Sequence, residues 1–373
     1  MEIKREDRQP QRRLMSLDAL RGFDMFWIIG GGTILKILDG ALSNEYYHNV
    51  IVPQFSHVRW EGFRFWDLIM PLFLFVVGVA MPFSFGKRLS HDDRKSKLYG
   101  HILKRFFILF ILGMVAQGGL LKYDLSKLHL FCNTLQAIAA GYLFASLIIL
   151  NMRAIGQIVV TIVLLLGYWA LLGLVAVPGH ERGLITENVN LAMYVDKLIL
   201  GHFQHVTDPQ YTWILSSMTF TATVMLGCLA GQLLRSEAGD YARVLWLLVA
   251  GAACLGLGLL WGAVFPIIKH LWTSSFVLFA GGICYFLLAV FYLIIDVWNL
   301  RKWAIFFVVI GMNAIAVYMA VHIFGFRTFG EPFVRGLEGK VGNWYEFSRA
   351  LVSFLVLWLI LFWMYRKKAF IKI

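Results

Sequence analysis

The sequence predicts an all-α polytopic membrane protein, with about ten transmembrane helices in one bundle. Hydrophobic residues make up 59% of the 373 residues and charged residues only 15%, whereas soluble domains contain roughly 25% charged residues. The apolar residues also come in repeated blocks of about twenty, the length that an α-helix needs to cross a bilayer. Composition and block length therefore both exclude an ordinary soluble domain.

Ten apolar blocks have the length of a membrane span, and their bounds carry an error of a few residues. We place them at about residues 15–37, 63–85, 99–120, 129–150, 153–177, 213–235, 241–263, 271–295, 302–324 and 343–365. An even number of spans puts both chain ends on one side of the membrane. Lys and Arg are more frequent on that side, so the positive-inside rule assigns both ends to the cytoplasm.

This topology gives one transmembrane domain over residues 1–373, with a basic cytoplasmic tail at 1–13. Its longest outer connection is the loop at 178–212. Within that loop, residues 190–203 alternate between apolar and polar at helical spacing and are too few to span. We therefore expect an interfacial helix there.

The charge pattern and the cysteine positions argue against nucleic-acid binding and against a cysteine metal site. The net charge of +12 follows from the positive-inside bias, and no nucleic-acid-binding motif accompanies it. The four cysteines lie inside apolar blocks and lack metal-ligand spacing, so we expect buried small side chains and no metal site. They are Cys132, Cys228, Cys254 and Cys284.

The strongest candidate for a functional site is the stretch 57–78, which reads HVRWEGFRFWDLIMPLFLFVVG. Its polar residues lie three or four apart and would share one face if the second helix begins early. Such a cluster at the top of a membrane helix is costly unless it faces protein or a watery cavity. Imidazole titrates near pH ~6.5, so His57 is a candidate general base that Asp67 would orient. The alternative is a histidine that is merely solvated or hydrogen-bonded.

Further polar residues lie inside the predicted spans. Asp18 and Arg21 are three residues apart on one helix face, as an ion pair or as part of a binding site. Gln136 and Asn313 lie in the middle of spans, where each amide either joins two helices or binds a ligand.

The sequence KHLWTSS at 269–275 places Lys269 and Trp272 at the outer mouth of the eighth helix. An aromatic rim with hydroxyl groups suits sugar binding, although Lys269 could instead extend its amine to water. His322, near the outer end of the ninth helix, is a second candidate base, with a structural role as the alternative. The sequence assigns no role to His270.

Several blocks, in order along nearly the whole chain, carry a family pattern. The first consists of His57, Trp60, Gly62, Asp67, Pro71, Phe73 and Gly78. The others are SLDALRG at 16–22, LQAIAAGY at 135–142, and FPIIKHLWTSSFVL with GMNAIAVYM at 265–278 and 311–319. Together they resemble the heparan-α-glucosaminide N-acetyltransferase family of transmembrane acyltransferases. The chain departs from the family pattern at Gly32, Ala137 and Gln210-Tyr211.

The resemblance implies transfer of acetyl from cytosolic acetyl-CoA to the amine of a terminal glucosamine on the far side of the membrane. It matches the active-site histidine to His57 and, since family members are commonly dimers, it leads us to expect a homodimer. We expect a bacterial-type member without the lumenal N-terminal domain of some relatives. Its place would be a bacterial inner membrane, with the active site near the outer, periplasmic side.

On this interpretation His57 accepts the proton of the acceptor amine or carries the acetyl group itself, and Asp67 orients it. Gln136 or Asn313 would donate to the carbonyl oxygen as negative charge develops. The residues predicted to bind substrate or acetyl-CoA are Asp18, Arg21, Trp60, Gln136, Lys269, Trp272 and Asn313.

Basic residues on the inner side could attract the phosphates of CoA, although a positive-inside loop explains them equally well. They are Lys87, Arg88, Lys104 and Arg105. Two other functions stay open: a transporter or flippase for a sugar or glycolipid, and an O-acyltransferase acting on an envelope polysaccharide.

Overall fold

The structure is a computed structural model that describes residues 14–42, 44–89 and 95–371, with only the backbone described at 86–89 and 95. The predicted basic tail at 1–13 lies outside the described residues. Within them the chain forms helices and loops, with isolated β-bridges and no β-strand. The all-α class predicted from composition is confirmed.

The longer helices are numbered in chain order. They are α1 (Met15–Leu42), α2 (Phe65–Leu89), α3 (Lys95–Ala116), α4 (Thr134–Asn151), α5 (Ala154–Leu174), α6 (Leu191–Leu200), α7 (Ser217–Leu234), α8 (Asp240–Gly262), α9 (Ser274–Val297), α10 (Ala304–Gly311), α11 (Ala314–Phe324) and α12 (Trp344–Arg366). Helix α6 occupies the segment for which we predict an interfacial helix; its position at the interface stays a prediction.

Among the described residues, nine helices are long and apolar enough to cross a membrane, and α10 with α11 would add a tenth. This agrees with the prediction of about ten spans. The predicted span at 302–324 is not one straight helix, because α10 and α11 meet at a 71° bend. Asn313 lies at the bend, and its amide bonds the segment after α12 instead of a neighbouring helix turn. Its Nδ2 donates to the carbonyl of Ala369 at 3.2 Å, and its Oδ1 accepts from the N–H of Ile371 at 3.0 Å.

Helices α2 and α7 form the centre of the bundle. In their apolar windows 78% and 72% of residues are buried, against 22% for α3 and α8. The outer helices expose large apolar side chains such as Phe107 on α3 and Trp246 on α8. Exposing such apolar side chains is unfavourable in water and favourable in lipid. The buried helices at the centre and the apolar surface of the outer helices are therefore as expected of a membrane bundle.

The two central helices approach each other at glycines. A Cβ atom at Gly78 would overlap the carbonyl oxygen of Val224, and one at Gly227 would overlap the carbonyl oxygen of Phe75. Small residues of this kind allow the backbones of two membrane helices to touch. The glycine at the end of the stretch 57–78 is therefore explained by helix packing.

We expect Gly78→Ala to destabilise the protein by about 1–3 kcal/mol, because the added methyl group forces α2 and α7 apart. Thermal unfolding in detergent measures this change. Gly100→Ala is the matched control, since nothing lies within 4 Å of a Cβ atom at this α3 position; there alanine should be neutral or stabilising by about 0.5–1 kcal/mol. Equal melting temperatures for the two variants would contradict the close crossing.

Successive spans alternate in direction, so the bundle has two distinct ends. At one end the start of α1 meets the end of α9, where the carboxylate of Asp296 accepts hydrogen bonds from the N–H groups of Met15 and Ser16 at 3.3 and 3.0 Å. We call this the terminal end. The opposite end carries the connecting segments 44–64, 117–133, 175–216, 263–273 and 325–343, and we call it the loop end.

Candidate active site

His57 lies at the loop end, in the segment that joins α1 to α2. Helix α2 begins only at Phe65, so the prediction that His57 and Asp67 share a helix face is wrong. The segment instead turns back over the start of α2, which places Nδ1 of His57 2.7 Å from Oδ1 of Asp67. A loop, rather than helical spacing, brings the two residues together.

Asp67 is fixed by its position in the first turn of α2. Its Oδ2 accepts a hydrogen bond from the N–H of Arg64 at 3.0 Å, which is the reciprocal half of a capping box. A carboxylate at this position also interacts favourably with the helix dipole. The side chain is only 1% exposed. Asp67 thus caps its own helix with Oδ2 and uses Oδ1 for His57.

Lys269 joins the pair from the segment between α8 and α9. Its Nζ lies 2.9 Å from Nδ1 of His57 and 3.5 Å from Oδ1 of Asp67. Backbone contacts hold the two segments together. Glu61 and Ile268 form an antiparallel bridge. The N–H of Gly62 donates to the carbonyl of Ile267 at 2.9 Å. His57, Asp67 and Lys269 form one cluster, which we call the triad.

Nδ1 of His57 lies within hydrogen-bond distance of both partners, but it cannot donate to one and accept from the other. The carboxylate of Asp67 can only accept, at the shorter distance of 2.7 Å, so Nδ1–H donates to it. Lys269 then neutralises Asp67 by charge rather than by donating to Nδ1. This tautomer leaves a lone pair on Nε2, which is what a general base needs. The His57 side chain is 38% exposed, so it is the accessible member of the triad.

The surroundings shift the pKa values of the loop residues. Burial lowers the pKa of His57 below 6.5; the hydrogen bond to Asp67 opposes this shift and the charge of Lys269 adds to it. Burial also lowers the pKa of Lys269 to about 8, against the attraction of Asp67. Burial, with the charge of Lys269 second, lowers the pKa of His270 to about 4. At neutral pH the triad therefore holds a neutral imidazole beside a mostly charged ammonium group.

The triad borders a cavity of about 650 Å³, within the range of small-molecule sites. Its lining comes from α1, α2, the first residue of α4, α11 and the loop-end segments. The lining includes His57, Lys269, Trp66, Gln117, Cys132, Asn133, Thr134, His205, Thr207, Tyr211, Trp213 and His322. Aromatic rings with hydroxyl and amide groups form a wall suited to a polar ring such as a sugar.

His322 is brought to this cavity by α11. Its Nδ1 lies 2.8 Å from the carbonyl of Tyr318, so Nδ1–H donates and Nε2 keeps its lone pair. The two rings also stack with centroids 4.0 Å apart. Its role as a second base stays a prediction, but its place in the cavity agrees with it.

Trp60 and Gln136 lie behind the cavity wall. The indole N–H of Trp60 donates to the carbonyl of Ile185 at 3.1 Å, and its ring stacks on His270. The amide of Gln136 accepts from the N–H of Cys132 at 2.8 Å and donates to the carbonyl of Leu130. Both side chains hold wall segments in place, and neither lines the cavity.

Four other predicted binding residues are elsewhere. Trp272 is buried and its indole N–H donates to Oγ1 of Thr223 at 3.0 Å, so the prediction that it forms a sugar-binding rim is wrong: its large apolar ring packs in the core. Asp18 and Arg21 lie at the terminal end, 3.7 Å apart. Asn313 bonds the segment after α12. The structure brings only Lys269 of the predicted binding residues into the cavity.

Of the basic residues considered for CoA, Lys104 and Arg105 do not line this cavity. Lys104 is exposed, and the guanidinium group of Arg105 lies 4.4 Å from the ring centre of Tyr142. The side chains of Lys87 and Arg88 lie outside the described part of the chain.

Sequence reasoning missed the wall formed by the segment 205–213. This segment is anchored by Asp196 of α6, whose carboxylate accepts from the N–H groups of Trp213 and Ile214 at 2.7 and 2.9 Å. Burial raises the pKa of Asp196 to about 7. The departure from the family pattern at Gln210-Tyr211 was the one available signal, because Tyr211 lines the cavity.

Fold and site together define a polytopic helical membrane protein with a histidine-centred cavity at one end of its bundle. A family model described as a domain of unknown function (DUF5009) matches residues 13–176. The heparan-alpha-glucosaminide N-acetyltransferase of Homo sapiens is 27% identical over 97% of this chain, and that of Mus musculus is 25% identical over 98%. The chain is therefore similar to these acetyltransferases over nearly its whole length, as its sequence blocks predict. It spans 60% and 62% of their respective lengths.

Proposed function

We propose that the chain is a transmembrane N-acetyltransferase that moves acetyl from acetyl-CoA to the amine of a glucosamine-type sugar. The observation that carries this proposal is the triad: a neutral imidazole, fixed through Nδ1 by a buried carboxylate, faces a cavity large enough for a sugar ring. The names of the two mammalian relatives support the class of reaction.

The triad residues fit the chemistry of amine acylation. An amine attacks a thioester only through its lone pair, so the acceptor must first lose a proton. Nε2 of His57 accepts that proton, and the charge of Asp67 stabilises the imidazolium that forms. A covalent route, in which Nε2 carries the acetyl group, would use the same residues.

Lys269 replaces the predicted amide donors in stabilising the acetyl oxygen. The side-chain N–H groups of Gln136 and Asn313 already donate to backbone carbonyls. The Nζ of Lys269, by contrast, lies in the cavity wall 3.4 Å from Nε2 of His57. A fixed positive charge at this distance from the reacting nitrogen lowers the energy of the negative charge that develops on the carbonyl oxygen.

We also propose an orientation for the molecule. The positive-inside bias of the sequence would put the terminal end in the cytoplasm and the cavity at the outer face, in a bacterial inner membrane. Acetyl from cytosolic acetyl-CoA would then have to cross the bundle to reach His57. The homodimer expected from the family resemblance stays part of this proposal.

We expect kcat, measured at saturating acceptor, to follow a bell-shaped pH profile. The acid limb should lie below pH 6.5, because protonated His57 cannot accept a proton and burial lowers its pKa below that value. The alkaline limb should lie near pH 8, where Lys269 loses its proton. Lys269→Arg should remove the alkaline limb, since guanidinium stays charged. An alkaline limb unchanged in that variant would contradict a role for the Lys269 charge.

Transfer of labelled acetyl from acetyl-CoA by detergent-purified protein tests the function itself. Glucosamine should be acetylated, whereas glucose, which lacks the amine, should not. Product from glucose instead of glucosamine would indicate an O-acyltransferase. Absence of both transfer and thermal stabilisation by CoA would favour a transporter.

A further inference from the structure

Lys269 lines the cavity where acetyl transfer is proposed, and its primary amine lies beside His57. Its Nζ lies 2.9 Å from Nδ1 and 3.4 Å from Nε2 of His57. An acetyl group that reacts beside Nε2, or on it, would therefore be within a few Å of Nζ. Attack begins when the reacting atoms, here Nζ and the acetyl carbon, are about 3–3.5 Å apart, so an acetyl group held beside His57 needs little movement to react with Nζ. No acceptor amine has to enter for this nucleophile to be present.

The proton on Nζ is what prevents this amine from competing with the acceptor. An ammonium group has no lone pair, and Oδ1 of Asp67, 3.5 Å away, favours the charged form. The side chain is only 7% exposed, and burial opposes the charge by lowering the pKa of Lys269 to about 8. A fraction of molecules therefore carries the neutral amine at neutral pH.

We propose that Lys269 is a site of self-acetylation, which inactivates the enzyme when acetyl-CoA is present and the acceptor is absent. The neutral Nζ attacks the thioester carbonyl, a C–N bond forms as the C–S bond breaks, and CoA leaves as a thiolate. His57 accepts the proton that Nζ loses, and the thiolate takes it up to give free CoA. This inference rests on the proposed function, because acetyl-CoA is the donor.

The product would disable the triad by removing a charge. An amide nitrogen cannot be protonated, so acetyl-Lys269 no longer neutralises Asp67 and no longer stabilises the acetyl oxygen. The acetamide is also stable and does not pass its acetyl group on to a sugar. Each self-acetylated molecule therefore leaves the catalytic cycle.

Peptide mass spectrometry of purified protein incubated with labelled acetyl-CoA, without acceptor, tests this proposal. The matched control is Lys127, which also pairs with an aspartate, Asp124 at 3.0 Å, but is 62% exposed and outside the cavity. Lys269 should be acetylated roughly tenfold faster than Lys127, as expected for a positioned amine, and activity should fall in parallel. N-hydroxysuccinimide acetate, which needs no binding site, should label Lys127 first.

Two variants and one competitor sharpen the result. Lys269→Arg should carry no label at this position, and His57→Ala should acetylate Lys269 more slowly because the proton acceptor is missing. Glucosamine should slow acetylation of Lys269 by competing for the donor.

Transfer to glucosamine, measured in parallel samples, separates the two proposals. Glucosamine acetylation with Lys269 labelled no faster than Lys127 would overturn self-acetylation alone. Absence of both products would overturn self-acetylation together with the proposed function. Labelled Lys269 without acetylglucosamine would support self-acetylation and acetyl-CoA as donor, and would exclude glucosamine as the acceptor.

Discussion

Replacing His57 with alanine is expected to lower kcat for acetyl transfer by about 10²–10⁴-fold, the usual contribution of a positioned general base. The variant loses Nε2 of His57, which has a free lone pair and belongs to the most exposed side chain of the triad. Folding should be little affected, since the side chain is 38% exposed. Steady-state transfer from labelled acetyl-CoA to glucosamine, with thermal unfolding measured in parallel, checks both statements.

His48→Ala is the matched control for this experiment. Nδ1 of His48 also lies 2.7 Å from an aspartate, at Oδ2 of Asp39, but the imidazole is exposed and does not line the cavity. Its replacement should leave kcat unchanged. Equal losses in the two variants would show that a histidine–aspartate pair at the loop end matters only for folding.

The spans of this fold could be predicted from sequence because the bilayer fixes the length of an apolar helix. The same rule could not predict the break between α10 and α11. Hydropathy is high on both sides of Asn313, and the amide that accompanies the bend bonds Ala369 and Ile371. A contact between residues so far apart in the chain produces no periodic pattern in the sequence from which it could be predicted.

The histidine–aspartate pair of the site could be predicted because both residues lie in one short sequence motif. His57 and Asp67 are ten residues apart and stand out as polar groups before an apolar run, although a loop and not a helix joins them. The contact of Lys269 with His57 spans 212 residues, and sequence alone could not pair them. For Trp272 the sequence predicted a binding role that the structure does not support. An aromatic residue beside hydroxyl groups gives the same sequence pattern in a sugar-binding rim and in a packed core.

The second large effect is expected from Asp67→Asn, which should reduce both stability and catalysis. The neutral amide leaves the ammonium of Lys269, 7% exposed, without its counter-charge. Removing one partner of a buried ion pair costs about 3–5 kcal/mol. The amide also does not hold the proton on Nδ1 of His57, and it does not stabilise an imidazolium. We therefore expect kcat to fall by about 10²-fold or more.

A double variant separates these two effects. Asp67→Asn combined with Lys269→Met removes both charges and leaves no unpaired ion in the cluster, so the melting temperature should recover much of what the single variant loses. Catalysis should not recover, because neither change restores the orientation of His57 or the positive charge beside the acetyl oxygen. Thermal unfolding and acetyl transfer, measured on both variants in the same detergent, give the comparison. If activity returned together with stability, Asp67 would act only through folding, and the triad would not be a catalytic unit.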